Sequence, residues 1–285
     1  MSVRLAEQSY GKSRVRLSKV SRYADRHEIK ELSVDITLEG AFEDSYLTGD
    51  NSGVVATDTM KNTVYALAAN HPVADAESFA LALSEHFMER NAHVSATTVE
   101  TEETLWRRIV TPAGWHPHAF IAGGVERPTC RVRRTRQDTV VEAGIRGLSL
   151  LKTTDSAFKG FLRDEFTTLP ETDDRIFATV LDGSWTYAPE VAGGWTANHG
   201  IICRTMIDLF AVHKSLAVQQ TLYAMGEAAL AACPAIVEIR LAMPNQHRIP
   251  MNLEPLGLAN QNEVFVTTSE PFGLIRATLR REGAR

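Results

Sequence analysis

The chain has 285 residues, of which 44% are hydrophobic and 23% charged. That is the composition of an ordinary soluble globular protein, long enough for one large domain or two medium ones with a substantial core. A net charge of -5 argues against a general nucleic-acid binder, and no apolar run is long enough to cross a bilayer. Cys130, Cys203 and Cys233 lie far apart without a Cys-x-x-Cys pair, a pattern that suits reduced thiols rather than a disulfide framework. The start, Met-Ser-Val-Arg-Leu, lacks the apolar core of a signal peptide, and the end, Gly-Ala-Arg, differs from a Ser-Lys-Leu address. The expected location is therefore cytoplasmic, with no membrane partner.

In chain order, Val15 and Leu17 share a side, and Leu32, Val34, Ile36 and Leu38 alternate with polar residues. Period two predicts half-buried antiparallel strands. A Gly/Asn/Asp-rich loop over Thr48–Gly53 follows, and then Val54–Thr63 reads as a short strand ending where a helix begins. Phe79, Leu83 and Phe87, four residues apart within Asp75–Arg90, predict an amphipathic helix. Two more β segments, Val94–Val110 and His116–Val125, close the first half. The second half repeats the plan. Strands are expected at Arg131–Arg136, Thr139–Leu151 and Ile176–Tyr187, then helices over Ala197–Phe210 and Ser215–Cys233. The last helix carries the stripe Leu222, Met225 and Ala229, and strands return at Ile236–Met243, Glu263–Thr267 and Gly273–Leu279. Hairpin, helices, strands occurs twice, which predicts two similar α+β modules in tandem, 1–126 and 127–285.

Several residues on this frame have chemistry to offer. Thr57-Asp58 falls at a strand-to-helix junction, where a Thr or Asp ordinarily caps the helix. The first amides of a helix lack internal acceptors, so the same junction is a ready anion site. Lys12, in Tyr10–Arg16, precedes a strand; such a lysine is ordinarily just solvated, but withdrawn from water it loses proton affinity and can act as a base. Asn245 and His247 are two apart on an extended chain and share a side. An imidazole there suits a proton relay, although a histidine at a strand end is more often structural. With Ser215 capping the last long helix, the Val218 amide is among the unpaired donors, and the Gln219 carboxamide offers a donor and an acceptor side by side. Gln220 reads as an exposed helix glutamine. In Leu148–Arg175, Phe158 supplies a flat apolar face and Arg175 a guanidinium fork, the two groups that a planar anionic heterocycle needs.

The spacing of Lys152, Ser156, Phe158, Phe161, Phe166, Leu169 and Arg175 closely resembles the signature of the urate oxidase (uricase) family. Ala56–Thr63, Tyr10–Arg16, Val218-Gln219 and Asn245–His247 resemble further motifs of that family, in its order. The resemblance covers nearly the whole chain and implies a tunnelling fold: two modules per chain, antiparallel sheet with helices on one face, and a homotetrameric barrel around a central tunnel. It implies oxidation of urate by dioxygen and water to 5-hydroxyisourate and hydrogen peroxide, with no cofactor and no metal. By the same resemblance Lys12, Thr57 and His247 form the proton relay. Phe158 stacks on the substrate, Arg175 and Gln219 grip its edge, and Thr57, Asp58 and Val218 add polar contacts. Asn245 lies at the dioxygen or water position. The resemblance further implies an active site shared between subunits, with the Lys and Thr from one and the Phe, Arg and Gln from its neighbour.

Two rivals belong to other classes. A pterin- or GTP-directed enzyme of the same fold wants a zinc site or an anchoring Glu, where this chain has Gln219. A dead purine-binding or structural protein would have lost the Lys/Thr/His set. His116-Pro117-His118, with Cys130 beyond, lacks the second pair that a metal site wants. Arg131, Arg133, Arg134 and Arg136 divide between two strand faces, which predicts solvated or subunit-contact roles rather than a nucleic-acid patch. Gly123-Gly124 and Gly193-Gly194 lack the spacing of a phosphate cradle. Lys159 and Asp173 are polar departures from the family pattern with no predicted effect.

Overall fold

In the computed structural model, which describes residues 3–283, the contacts divide the chain into two units. The first runs to Gly144 and regains Thr186–Thr196; the second comprises Ile145–Trp185 and the chain from Ala197 onward. The C-terminal tripeptide considered above includes Ala284 and Arg285, which lie outside the described residues.

The first unit holds β1 (Tyr10–Arg22), β2 (His27–Gly40), α1 (Glu43–Leu47), α2 (Thr57–Asn70), α3 (Ala76–Arg90), β3 (Val94–Thr104), β4 (Trp106–Thr111), β5 (Gly114–Ala122) and β6 (Arg127–Thr135). Its main sheet is ordered β1-β2-β3-β6, antiparallel throughout, while β4 and β5 pair as a separate ribbon. The expected alternation is what makes the inner face: Leu32, Val34, Ile36 and Leu38 are all buried. α2 packs on β1 and α3 on β3 and β6, and the Phe79, Leu83 and Phe87 stripe of α3 is buried as its spacing requires.

Strand β7 (Thr139–Lys152) leads into the second unit, which continues with β8 (Phe177–Tyr187), α4 (Trp195–Val212), α5 (Val218–Ala232), β9 (Ile236–Gln246), β10 (Arg248–Pro250), β11 (Phe265–Thr267) and β12 (Gly273–Arg280). Here the order is β7-β8-β9-β12, with β10 and β11 as a small ribbon. α5 packs on β9 and β12 through buried Leu222, Met225 and Ala229. The chain is thus α+β, with two tandem modules of antiparallel sheet and helices. Among the described residues no helix is long and apolar enough to cross a membrane.

Three local expectations change. Val54–Ala56 is loop, not strand: the Val54 amide bonds back to the Asn51 carbonyl at 2.9 Å and the Val55 amide to the Tyr10 hydroxyl at 2.7 Å, so neither is available to a ladder. Val94–Val110 is broken at Leu105, whose carbonyl accepts the Gly123 amide at 2.8 Å. β6, read from sequence into the second module, lies in the first unit, where Val132 faces Val99 of β3.

The arginines of β6 and its turn divide as their alternation predicts. Arg131 pairs with Glu100 and Glu142, Arg133 with Glu39, and Arg134 with Glu85 of α3. Arg136 donates to the carbonyls of Asn91, Ala92 and Val94 just beyond α3. Charges neutralised in this way do not form a phosphate-binding patch.

Candidate active site

The candidate residues fall into two sets, one in each unit. In the first, Lys12 is brought toward Thr57 by an irregularity in β1. Lys12 lies opposite Ile36, but Val15 lies opposite Val34, so β1 spends one more residue than β2 between these pairs. The extra residue is a β-bulge, with Arg14 at a φ of 56° and its amide on the Asp35 carboxylate at 2.8 Å. Counting back from Val15 and Leu17 along a regular strand would turn Lys12 outward. The bulge reverses that parity and puts Lys12, half-buried, on the helix-bearing face with Ile36. One residue earlier, Gly11 allows a close approach of the strands: a Cβ there would lie 1.8 Å from the Ile36 carbonyl oxygen.

α2 is fastened to β1 at both ends. The Tyr10 hydroxyl holds the loop before it, Tyr65 Oη donates to the Arg16 carbonyl at 3.0 Å, and Lys19 Nζ donates to the Ala68 and Ala69 carbonyls at 2.7 and 3.2 Å. The N-cap is Ala56, which has no side-chain acceptor to offer. Thr57 and Asp58 therefore do not cap the helix; they are its first two residues. The first backbone bond of the helix is from the Met60 amide to the Ala56 carbonyl, at 3.1 Å, so the amides of Thr57, Asp58 and Thr59 have no helical acceptor. The Thr57 side chain is exposed and makes no hydrogen bond among the described residues. The Asp58 carboxylate pairs with Lys61 and accepts from Asn62 at 3.0 Å. The Lys61 ammonium holds the Asp58 carboxyl below its ordinary range, with a smaller contribution from Lys12. Lys12 is thus close enough to the start of α2 for its charge to be felt there.

The second set gathers around the loop from Thr153 to Arg175. The Phe158 amide bonds to the Thr172 carbonyl at 2.9 Å and the Thr172 amide to the Phe158 carbonyl at 3.1 Å. Phe161 stacks on Phe158 with centroids 5.0 Å apart and planes 13° apart, and the Arg175 guanidinium carbon lies 5.2 Å from the Phe158 centroid. Arg175 is half-buried, and no carboxylate pairs with it among the described residues; burial lowers its proton affinity. Lys159 and Asp173, the two polar departures, pair with each other across this hairpin. Both are exposed, so the pair contributes little stability.

The same loop is tied to the start of α5. The Ala157 amide donates to the Ser215 carbonyl at 2.8 Å and the Ser215 amide to the Asp155 carbonyl at 2.9 Å. Ser215 does not cap α5; the N-cap is Ala217. The buried Ser215 hydroxyl instead donates to the Ala217 carbonyl at 3.1 Å and accepts from Thr221 at 2.8 Å. Gln220 is exposed yet reaches back to accept the Leu216 amide at 2.9 Å. Val218, Gln219 and Gln220 form the first turn, and the first helical backbone bond comes from Thr221 to Ala217 at 3.2 Å. The Val218 amide is therefore open as expected, though with a different cap. Gln219 is exposed and its carboxamide makes no hydrogen bond among the described residues. Lys152 ends β7 by donating to the His213 carbonyl beyond α4, which gives that signature residue a structural task.

Asn245 lies near the end of β9 opposite Gly273, and His247 follows in the single-residue gap before β10. The His247 carbonyl accepts the Thr268 amide at 3.2 Å; both side chains are half-buried and make no hydrogen bond among the described residues. Reasoning from sequence missed the groups that hold these parts in place: Tyr10, Thr154, Asp174 and the Ser215–Thr221 hydroxyl pair. The Thr-Thr-Asp-Ser run at 153–156 is a turn signal that pointed to such a role. Among the described residues no cluster of three His, Cys, Asp or Glu is placed to hold a metal ion, although the His116 and His118 rings are 4.6 Å apart.

Two tandem α+β modules of antiparallel sheet and helices, with open helix starts and a guanidinium over an aromatic that no carboxylate pairs among the described residues, place the chain in the class of two-module α+β proteins. The family model described as Uricase matches residues 8–133 and 141–276. The uricase of Arthrobacter globiformis is 42% identical over 281 residues, covering 99% of this chain and 91% of its own. That of Oryctolagus cuniculus is 35% identical, covering 98% of this chain and 95% of its own. The crystal structure of uricase from Arthrobacter globiformis gives a TM-score of 0.95, over 100% of this chain and 97% of that one. The chain belongs to the uricase family.

Proposed function

We infer that this chain is a urate oxidase, which converts urate, dioxygen and water to 5-hydroxyisourate and hydrogen peroxide. The observation that carries the reading, in a chain of this family, is Arg175: a half-buried cation over the Phe158 ring with no carboxylate paired to it among the described residues. A purine-dione anion satisfies both groups at once, lying flat on an aromatic face and taking the guanidinium fork along one edge. The Gln219 carboxamide and the Val218 amide complete that edge, and the open amides of Thr57 and Asp58 suit further acceptors on the ring.

No cofactor is required, because urate itself supplies the electrons. The protein's task is position and proton control. A relay of Lys12, Thr57 and His247 removes an N–H proton and makes the ring electron-rich. Dioxygen near Asn245 takes two electrons and bonds at the ring as a peroxide. Water then displaces it, forming a C–O bond and releasing hydrogen peroxide. Proximity and proton transfer each lower such barriers by several kcal/mol.

The active unit is a homotetrameric barrel, with each site shared between neighbouring subunits. Support comes from the sheet edges: among the described residues β1 pairs only with β2, and β12 only with β9, which leaves two ladder edges for other subunits. Cys130, Cys203 and Cys233 are thiols rather than disulfides, in keeping with a cytoplasmic location. The test is direct: the metal-free protein is incubated with urate in air, and loss of urate absorbance is followed together with peroxide release. Equimolar urate loss and peroxide appearance is expected; urate left intact would rule the activity out.

A further inference from the structure

Arg175 follows an acid, Asp174, that makes no ion pair with it. The Asp174 carboxylate is engaged elsewhere: Oδ2 accepts from the Thr154 hydroxyl at 2.7 Å and Oδ1 from the Ser156 amide at 3.3 Å. Each carboxylate oxygen thus has one donor of its own. The donors are residues 154 and 156, so the carboxylate fastens the residue next to Arg175 to the turn that leads to Phe158. That turn is constrained already, because Asp155 sits at a φ of 58° and its carbonyl holds the Ser215 amide before α5. On the other side the Thr172 hydroxyl donates to the Asp174 carbonyl at 2.7 Å, next to the Phe158–Thr172 bridge.

We propose that Asp174 is the positioning residue of the anion clamp: its carboxylate, engaged by the Thr154 hydroxyl and the Ser156 amide, fixes the guanidinium over Phe158 and leaves that guanidinium unneutralised for an anionic purine. Two features of the position support this. Both carboxylate oxygens are taken by Thr154 and Ser156 rather than by the guanidinium next to them in sequence. In addition, all the donors lie on backbone or on a short side chain, so the group sets geometry without reaching substrate.

The proposal rests on the reading that Arg175 grips the substrate, and the variants separate the two. Asp174→Asn puts an amide N–H₂ where donors converge, and is expected to raise KM for urate and the Kd of a non-oxidisable purine anion together, by about tenfold or more. Turnover at saturation stays within about threefold, because the proton relay is untouched. Thr154→Val, which removes one donor and keeps the carboxylate, is expected to shift the same two constants in the same direction by about threefold, and it serves as the test should the first variant fail to fold. Unchanged KM and Kd in either folded variant would overturn the positioning role. A fall in turnover as large as the loss of binding would also overturn it, by showing a general structural defect. Arg175→Gln is the control. Loss of analogue binding there, with Asp174→Asn unaffected, leaves the urate reading standing and sinks only the proposal; analogue binding unaffected by Arg175→Gln sinks both.

Discussion

Outside the candidate site, the buried carboxyl of Glu77 makes stability depend on pH. It lies in the first turn of α3 with 6% of its surface exposed, and burial raises its carboxyl to about 7, with Asp75 and Glu103 adding to the effect and Lys30 opposing it. The folded carboxyl thus holds its proton more tightly than the unfolded one, whose ordinary value is 4.5. The contribution to stability is full below about 4.5 and is lost as pH rises toward and through about 7. Glu77→Gln, which keeps shape and removes the charge, should therefore stabilise the protein at pH 8 by on the order of 3 kcal/mol and change little at pH 4. Calorimetric melting across that range checks the sign; a gain confined to low pH would refute it. At the candidate site, Lys12→Met or Thr57→Ala should cut turnover by about a hundredfold or more while analogue binding changes far less. Steady-state kinetics with analogue titration compares these with Arg175→Gln, which should mainly lose binding; equal loss of both properties in all three variants would overturn the assignment of roles. Residues with reactive groups were legible because chemistry restricts which side chains can serve. The hydroxyls and carboxylate that hold them were not, since Ser, Thr and Asp occur in every turn.

Elements with a strong period were legible, and those set by single hydrogen bonds were not. The four-residue stripe of α3 and the two-residue alternation of β2 follow directly from burying one face. Leu83, at the centre of the α3 stripe, is fully buried, so Leu83→Ala should cost about 2–5 kcal/mol, to be read as a lower denaturant midpoint with an unchanged slope. Val54–Ala56, by contrast, has the apolar composition of a strand but loses its ladder to the Tyr10 hydroxyl and the Asn51 carbonyl, and no local signal announces such long-range capture. Gly11 makes the opposite point, since its requirement comes entirely from the neighbouring strand. Gly11→Ala should lower both melting temperature and turnover, because the added carbon meets the Ile36 carbonyl one residue from Lys12. Wild-type values for both would refute this.

At the scale of the whole molecule, the repeated order of hairpin, helices and strands gave the tandem modules, while the boundary depended on pairing partners that the sequence does not name. β6 belongs with β3 because Val132 and Val99 share a buried face, a long-range choice that periodicity leaves open. The proposed sharing of sites between subunits makes activity a property of the assembly. Dilution followed by size-exclusion chromatography should show specific activity falling as the oligomer dissociates; full activity in a verified monomer would refute the shared site.

The bulge in β1 makes the register of this chain behave like a reading frame for side chains. Deleting Ser13 would leave every apolar residue of β1 beyond it on the same face as before and give the ladder regular pairing. The folded protein should survive, with a smoother and more strongly paired strand. Lys12 would keep its place opposite Ile36, since it would then stand two residues from Val15 as Ile36 stands two from Val34. The bulge is thus how the strand carries one extra residue without misplacing a side chain: Lys12 and Val15 stand an odd number of places apart and still share a face, which a regular strand does not allow.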